Sequence, residues 1–110
     1  HLLIEKDHTF SLDFSEKINF SRPSIDVTMQ SAAEVYGAGA TGILLSGASI
    51  DGTEGLRSIG GKDGFTVVQE PEDAEVAYMP KQAIDAGVAK LILHRDGLAA
   101  FINNLSPLFY

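Results

Sequence analysis

The feature that most constrains this chain is a stretch in its middle that changes from apolar to small and then to helical. Residues 42–46 read GILLS, a continuous apolar run typical of a strand covered on both faces. Residues 47–51, GASID, form a small-residue loop, and a helix is predicted over residues 52–59. Strands that lead directly into helices build parallel α/β sheets, whose ligands bind at the carboxyl ends of the strands. Asp51 stands in this loop and is therefore the first candidate for chemistry.

Further strands and helices are predicted after this stretch. Apolar runs predict strands at residues 65–69 and 90–93, and helical patterns predict helices at 79–86 and 95–105. We therefore expect an α/β fold, a doubly wound and mostly parallel sheet.

The first part of the chain is expected to differ from this alternation. Residues 1–4 and 9–14 flank a polar turn and predict an antiparallel hairpin at one edge of the sheet, with Leu12 and Phe14 on its buried face. Pro23 then ends the preceding segment, and Ser24 is expected to cap the first amides of a helix that ends near Gly37. Residues 15–20 between hairpin and helix are a connection.

Composition excludes several classes of function. The 110 residues suffice for one domain, and 45% hydrophobic residues suffice for a core. Eight basic and fifteen acidic residues give a net charge of −7, which argues against nucleic acid or an anionic membrane as partner. The absence of cysteine excludes disulfides, thiolate metal sites and a cysteine nucleophile, and it fits a reducing compartment. No apolar run approaches the roughly 20 residues that span a bilayer.

Asp51 itself allows two interpretations. With Glu54 three residues later it resembles a capping box at the start of the helix, where a carboxylate also meets the positive end of the helix dipole. Alternatively, its side chain points into the crevice at the strand ends and orients a histidine. The two interpretations are compatible, and spacing alone does not choose between them.

Other candidates for catalysis are less complete. Ser46 and Ser49 lie in the same loop and have the residue type of a nucleophile, but each needs a base. The candidate bases are His1 at the terminus, His8 in a solvated turn, and His94, which is expected to cap the last helix. A Ser-His-Asp triad contained within this chain stays a minor alternative.

Two other motifs are interpreted as structural. Residues 37–42 match G-x-G-x-x-G, but they follow a helix and precede a strand, the reverse of a dinucleotide site. The acidic segment 70–75 has no central glycine and is expected to be a solvated loop rather than a calcium site, and the scattered histidines lack the spacing of a zinc site. Met79 and Pro80 begin a helix at the same sheet edge as Asp51.

Several stretches, in this order, together resemble the catalytic domain of CheB-type protein-glutamate methylesterases. The resemblance runs from His1 to about Leu93, and its motifs are specific jointly rather than singly. The matching stretches are residues 22–27 (RPSIDV), 42–47 (GILLSG), 51–56 (DGxxGL), 64–71 (GFTVVQEP) and 79–84 (MPxxAI).

The resemblance implies hydrolysis of glutamate methyl esters on chemoreceptors, and deamidation of receptor glutamines, by a Ser-His-Asp triad. It implies that Asp51 is the triad aspartate and that Gly47, Ala48 and Met79 lie beside the substrate or the oxyanion. It implies neither metal nor organic cofactor. The serine and histidine motifs of the family lie before the matched region, so residues 1–110 are expected to be the C-terminal portion of the domain, inactive alone. Ala48 departs from the family, which usually has methionine there.

The expected partner is a methylated chemoreceptor or similar protein substrate, with a cytoplasmic location and without membrane insertion or nucleic-acid binding. A regulatory domain in the parent protein and a homodimer stay open. The alternative function is a non-catalytic interaction module of CheB type, which Ala48 favours. A small-ligand domain of flavodoxin-like shape is disfavoured because no phosphate loop is present.

Overall fold

A computed structural model describes residues 1–18 and 23–105 of the chain. Residues 19–22, which include Arg22 and the end of the predicted connection, and the apolar residues 106–110 lie outside these ranges. The strands are β1 (Leu2–Ile4), β2 (Phe10–Leu12), β3 (Thr41–Leu44), β4 (Phe65–Gln69) and β5 (Leu91–Leu93). The helices are α1 (Ile25–Tyr36), α2 (Thr53–Gly61), α3 (Tyr78–Asp85) and α4 (Arg95–Leu105), and a short 3-10 helix covers Gly37–Gly39.

The central sheet confirms the predicted parallel architecture. Strands β3, β4 and β5 are hydrogen-bonded in that order, and all three are parallel. In the register of the sheet Ile43 lies opposite Val67, which in turn lies opposite Leu91. The carboxyl ends of the three strands therefore meet at one edge, and the loops that follow them are neighbours.

The core is built where helices α2 and α3 cover the sheet. Gly55 allows α1 to approach α2 closely, since a Cβ there would lie 2.7 Å from Met29 Cβ. Burying each large aliphatic side chain of the core contributes about 1.5–3 kcal/mol. The buried residues of the main cluster are Leu44, Leu56, Val68, Met79 and Ala83. None of the helices in the described ranges is long and apolar enough to cross a bilayer.

The N-terminal hairpin differs from the prediction in two respects. Strands β1 and β2 pair antiparallel as expected, but within the described residues they form a separate two-stranded sheet and do not extend the parallel one. The predicted buried face was also wrong, because Leu12 and Phe14 are 68% and 83% exposed. Strand β1 instead packs on α1, where the Ile4 N–H donates to Ser31 Oγ over 2.9 Å. Alternation predicted the strand but did not reveal which face would meet a helix.

Candidate active site at the carboxyl end of β3

Asp51 lies in the loop between β3 and α2 and is buried, with only 2% of its surface exposed. The loop backbone lies directly on the end of β3, because a Cβ on Gly52 would come within 2.4 Å of Leu44 Cδ1. Gly52 also has a φ of 110°, which side chains rarely adopt. Glycine at position 52 therefore fixes the path that buries the neighbouring aspartate.

The Asp51 carboxylate accepts three hydrogen bonds at the start of α1. Ser24 Oγ donates to Oδ1 over 2.8 Å, the Ile25 N–H donates to Oδ2 over 2.5 Å, and the Asp26 N–H donates to Oδ1 over 3.1 Å. Amide donors at a helix N-terminus stabilise a carboxylate and are in turn satisfied by it. Asp51 thus caps a helix that begins 26 residues before it in the chain.

This arrangement corrects two expectations about caps. The capping box of Asp51 with Glu54 is wrong, because Gly52 is the N-cap of α2 and Glu54 accepts instead from Arg57 Nε at 3.1 Å. Ser24 does occupy the predicted N-cap position of α1, but its side chain makes no cap hydrogen bond. Both helix starts were located correctly, whereas the side chains that satisfy them come from distant parts of the chain.

Asp26, in the first turn of α1, completes an exchange of caps between the two helices. Its Oδ1 accepts from the N–H groups of Gly52 and Gly55, each over 2.8 Å, at the start of α2. Burial raises the pKa of Asp26, an effect that the amides of Gly55 and Gly52 oppose and the neighbouring Asp51 carboxylate reinforces. Asp26 of α1 thus caps α2, and Asp51 of the loop before α2 caps α1, which fixes this loop against α1.

His1, one of the candidate bases, also joins this site. The imidazole is buried, its Nδ1 accepts from the Ser24 N–H over 3.0 Å, and Nε2 lies 2.6 Å from the Glu16 carbonyl oxygen. With Nδ1 accepting, Nε2 is the nitrogen that donates. A histidine and a serine 23 residues apart carry no local pattern, so spacing could not have revealed the contact.

These three residue types are not connected as a catalytic triad. In a triad the serine hydroxyl donates to the imidazole and the imidazole donates to the carboxylate. Here Ser24 Oγ donates to Asp51, while His1 contacts the Ser24 backbone. Ser24 is only 1% exposed, so its hydroxyl is closed to a substrate.

The serines proposed as nucleophiles are engaged elsewhere. Ser46 Oγ accepts from the Val76 N–H over 2.8 Å, and Ser49 Oγ accepts from the Asp51 N–H over 3.1 Å. His8 Nδ1 contacts the Tyr36 hydroxyl at 2.9 Å, and His94 Nδ1 lies 3.2 Å from Asp73. Across residues 1–18 and 23–105 no hydrogen bond joins a histidine nitrogen to a serine hydroxyl, so the described part contains no complete triad.

The structure brings together two of the residues expected beside the substrate. Met79 Sδ occupies the space that a side chain at position 47 would need, since a Cβ on Gly47 would lie 2.2 Å from the sulfur. The Met79 N–H donates to the Gly47 carbonyl over 3.0 Å, and the Gly47 N–H donates to Val76 O over 3.0 Å. Gly47 therefore uses its amide within the fold, Met79 is mostly buried, and Ala48 is exposed.

A second buried aspartate lies at the same sheet edge. Asp73 accepts from Gln69 Nε2 at 2.9 Å and from Arg95 at both Nε and the backbone N–H, each over 2.8 Å. The hydrogen bonds from Gln69 and Arg95 lower the pKa of Asp73 to about 2. The expectation that the whole acidic loop is solvated was wrong for this residue, which also supplies the cap of α4 that had been assigned to His94.

Asp73, Gln69, Arg95 and Ser46, here called the Asp73 cluster, connect the ends of the three strands by hydrogen bonds. Gln69 is the last residue of β4, and its Oε1 accepts from the N–H of Ser46, which follows β3, over 3.0 Å; Arg95 follows β5. Together with Glu75 these residues line an open cleft of about 560 Å³. Within the described ranges no group of three histidine, aspartate or glutamate side chains is placed to hold a metal ion.

Comparison with known proteins identifies the family of this fold and site. The family model of the CheB methylesterase matches residues 1–102. A putative protein-glutamate methylesterase/protein-glutamine glutaminase of Leptospira interrogans is 48% identical over 99 residues, which cover 90% of this chain and 51% of that protein. A protein-glutamate methylesterase/protein-glutamine glutaminase of Natronomonas pharaonis is 37% identical over 81% of this chain and 25% of its own length.

A solved structure agrees with the sequence relatives. The crystal structure of the Thermotoga maritima CheB methylesterase catalytic domain superposes with a TM-score of 0.82 at 34% identity, covering 86% of this chain and 51% of that one. The chain thus spans about half the length of the Leptospira relative and of the solved domain. From the family match over residues 1–102 and these relatives, the chain belongs to the CheB methylesterase family.

Proposed function

We propose that residues 1–110 are the C-terminal portion of a catalytic domain that hydrolyses glutamate methyl esters on a chemoreceptor and deamidates receptor glutamines. Asp51 is the triad aspartate, and the serine and histidine belong to a segment outside these residues. The observation that carries the proposal is the buried Asp51 carboxylate at the carboxyl end of β3, held by three donors. The names of the relatives support the reaction.

The environment of Asp51 suits the part that a triad carboxylate plays. Such a group must stay ionised and must hold its orientation, because it selects the imidazole tautomer and stabilises the imidazolium. Donors at both oxygens favour the ionised form, and the positive end of the α1 dipole acts in the same direction. Since α1 and α2 exchange caps, the carboxylate is held by two helices rather than by a mobile loop.

The reaction then proceeds by acyl transfer. The serine oxygen attacks the ester carbonyl while the imidazole takes its proton, and the imidazolium returns that proton to the departing methanol. Water attacks the acyl-enzyme in the same way and releases the glutamate side chain. Asp51 orients the imidazole in both halves; for a glutamine substrate the leaving group is ammonia.

The loop after β3 contributes mainly to the shape of the site. Gly47 and Met79 lie beside the substrate, as does Ala48, but the Gly47 amide already donates to Val76. The oxyanion is therefore stabilised chiefly by amides near the nucleophile. Ala48 is exposed at the loop surface, which supports a contact with the receptor.

Replacing Asp51 in the complete domain tests the proposal. We expect Asp51→Asn to lower the rate of methanol release from a methylated receptor by about 10⁴-fold, as loss of a triad aspartate does. Asp73→Asn is the matched control, because Asp73 is also buried at the same sheet edge but contacts Arg95 instead of α1. Near-normal turnover in a folded Asp51→Asn protein would refute the role of Asp51.

A non-catalytic interaction module is the second candidate. It is favoured by Ala48, which stands where CheB-type domains usually have methionine and which is exposed in the loop. The sequence that precedes residue 1 in the gene distinguishes the two, since the enzyme needs a serine in a small-residue loop and a following histidine there. A complete protein that binds a methylated receptor but releases no methanol would establish the module instead.

A further inference from the structure

We infer that Ser24 is a positioning residue for the reaction: its hydroxyl orients the Asp51 carboxylate that acts on the catalytic imidazole. The inference rests on the proposed function and adds to it a second residue of this chain. It begins from the hydrogen bond between Ser24 Oγ and Asp51 Oδ1, 2.8 Å long and buried on both sides.

The usual reason for a serine at the start of a helix does not apply here. Serine is favoured at an N-cap because its hydroxyl accepts from the amides of the first turn. The Ser24 side chain makes no such bond, and the amides of Ile25 and Asp26 donate to Asp51 instead. The hydroxyl is therefore directed at the carboxylate, and a donor, not an acceptor, is what the site uses.

The position of the Ser24 hydroxyl is fixed from several sides. The Ser24 N–H donates to His1 Nδ1 over 3.0 Å, and the Ser24 carbonyl accepts from the Thr28 N–H over 3.2 Å. His1 is in turn held by the carbonyl oxygen of Glu16. The Ser24 backbone is thus held by His1 and by α1 through contacts other than its bond to Asp51, and such support is what orienting a carboxylate requires.

Ser24 donates to Asp51 through its side chain, so this donor can be removed by substitution. Losing the hydroxyl leaves the negative charge on Asp51 less dispersed and weakens the hold on Oδ1, to which the Asp26 N–H donates over the longer distance of 3.1 Å. The less dispersed charge stabilises the imidazolium more, so the acid limb of the pH profile moves to higher pH. The looser orientation of the carboxylate lowers kcat, while KM changes little because Ser24 is only 1% exposed and does not meet the substrate.

The test compares variants of the complete domain, with rates divided by the concentration of titrated active sites. For Ser24→Ala we expect kcat to fall by about 10- to 100-fold, KM to stay within about twofold, and the acid limb of kcat/KM to move to higher pH. Ser24→Thr keeps the hydroxyl and restores both kcat and the pH profile. Ser24→Cys keeps the size of the side chain but donates weakly, so we expect an intermediate loss of kcat. This variant serves as the test if Ser24→Ala is unstable.

Ser31→Ala is the matched control. Ser31 is a partly buried serine within α1, and it accepts from the Ile4 N–H and donates to the Thr28 carbonyl without bonding to Asp51. A Ser24→Ala protein that matches Ser31→Ala in kcat, KM and acid limb would overturn the inference. So would a loss that disappears once rates are divided by active sites, or one that Ser24→Thr does not restore. Activity in Asp51→Asn would instead refute the proposed function itself.

Discussion

Two buried aspartates lie at the same edge of the parallel sheet, and their surroundings differ. Asp51 is held by a hydroxyl and two backbone amides at the start of a helix, whereas Asp73 is held by the guanidinium of Arg95 and the amide of Gln69. Asp73 even has an imidazole beside it, from His94 at 3.2 Å. Its charge, however, is already matched by Arg95, so it has little left with which to stabilise an imidazolium.

If Asp51 is the triad aspartate, as proposed above, then the way an aspartate is held is a better sign of catalysis than a histidine beside it. Neutral donors keep a carboxylate ionised without cancelling its charge. A guanidinium does cancel it, as that of Arg95 does at Asp73 Oδ1, the oxygen that His94 also faces. The Asp73 cluster joins three loops and stabilises the sheet edge. At Asp51 the hydroxyl and the two amides orient the carboxylate, as the proposed triad requires.

The largest loss of stability is expected from a substitution that displaces the loop carrying Asp51. Gly52→Ala places a Cβ within 2.4 Å of Leu44 Cδ1 at a φ of 110°. We expect a loss of about 3 kcal/mol in the free energy of unfolding, measured by urea titration. The control is Gly87→Ala, where φ is 74° but a Cβ meets nothing within 4 Å, with an expected loss of about 1 kcal/mol. Equal losses would show that the loop is not pressed onto β3.

The exchange of caps between α1 and α2 can be tested by substituting Asp26, its second carboxylate. Asp26→Ala leaves the buried amides of Gly52 and Gly55 without their acceptor, and we expect it to lower the free energy of unfolding by about 2 kcal/mol. Asp26→Asn keeps an acceptor oxygen and removes a charge that burial disfavours, so its cost is expected to be within about 1 kcal/mol. If both substitutions cost the same, the amide contacts are not what Asp26 contributes.

The two regions should also respond oppositely to acid. Because the pKa of Asp73 is lowered from 3.8 to about 2, its stabilising contribution is complete above pH 3.8 and is lost as the pH falls toward 2. The pKa of Asp26 is raised above 3.8, so protonation of Asp26 adds stability as the pH falls toward that value. Urea unfolding from pH 6 to pH 2 measures both slopes. Asp73→Asn should flatten the fall below pH 3.8, and Asp26→Asn should remove the rise above it.

The smallest effect is expected at Glu54, the residue of the rejected capping box. Its contact with Arg57 joins two exposed side chains three residues apart on α2. Glu54→Gln should therefore change the free energy of unfolding by less than about 0.5 kcal/mol, measured by thermal or urea unfolding. A loss above 1 kcal/mol would indicate a cap that the structure does not show.

The sequence predicted most of the fold because strands and helices follow local patterns. Strand β4 and helix α4 have the predicted bounds, and α1 begins after Ser24 and ends at Gly37 as expected. The predicted bounds of β3, α2, α3 and β5 were within two residues of the observed ones. The orientation of the hairpin could not be predicted in this way, because it depends on which of its faces meets α1.

The site was predicted less completely than the fold. Composition and position singled out Asp51, and its location at the end of β3 agrees with that prediction. Its partners were missed because Ser24 and Asp26 lie 27 and 25 residues away in the chain, and no local rule pairs them. The capping box failed for the same reason, since the first amides of α2 donate to the distant Asp26 carboxylate rather than to a local acceptor. Catalytic roles for Asp51, Gly47, Ala48 and Met79 stay predictions.

A crystal structure of the complete domain would show directly which carboxylate the catalytic imidazole contacts. We expect a histidine from outside residues 1–110 to place a ring nitrogen within about 2.6–3.2 Å of an Asp51 carboxylate oxygen, while Ser24 Oγ still donates to that carboxylate. A structure in which the catalytic imidazole contacts Asp73, or no carboxylate of this chain, would contradict this expectation.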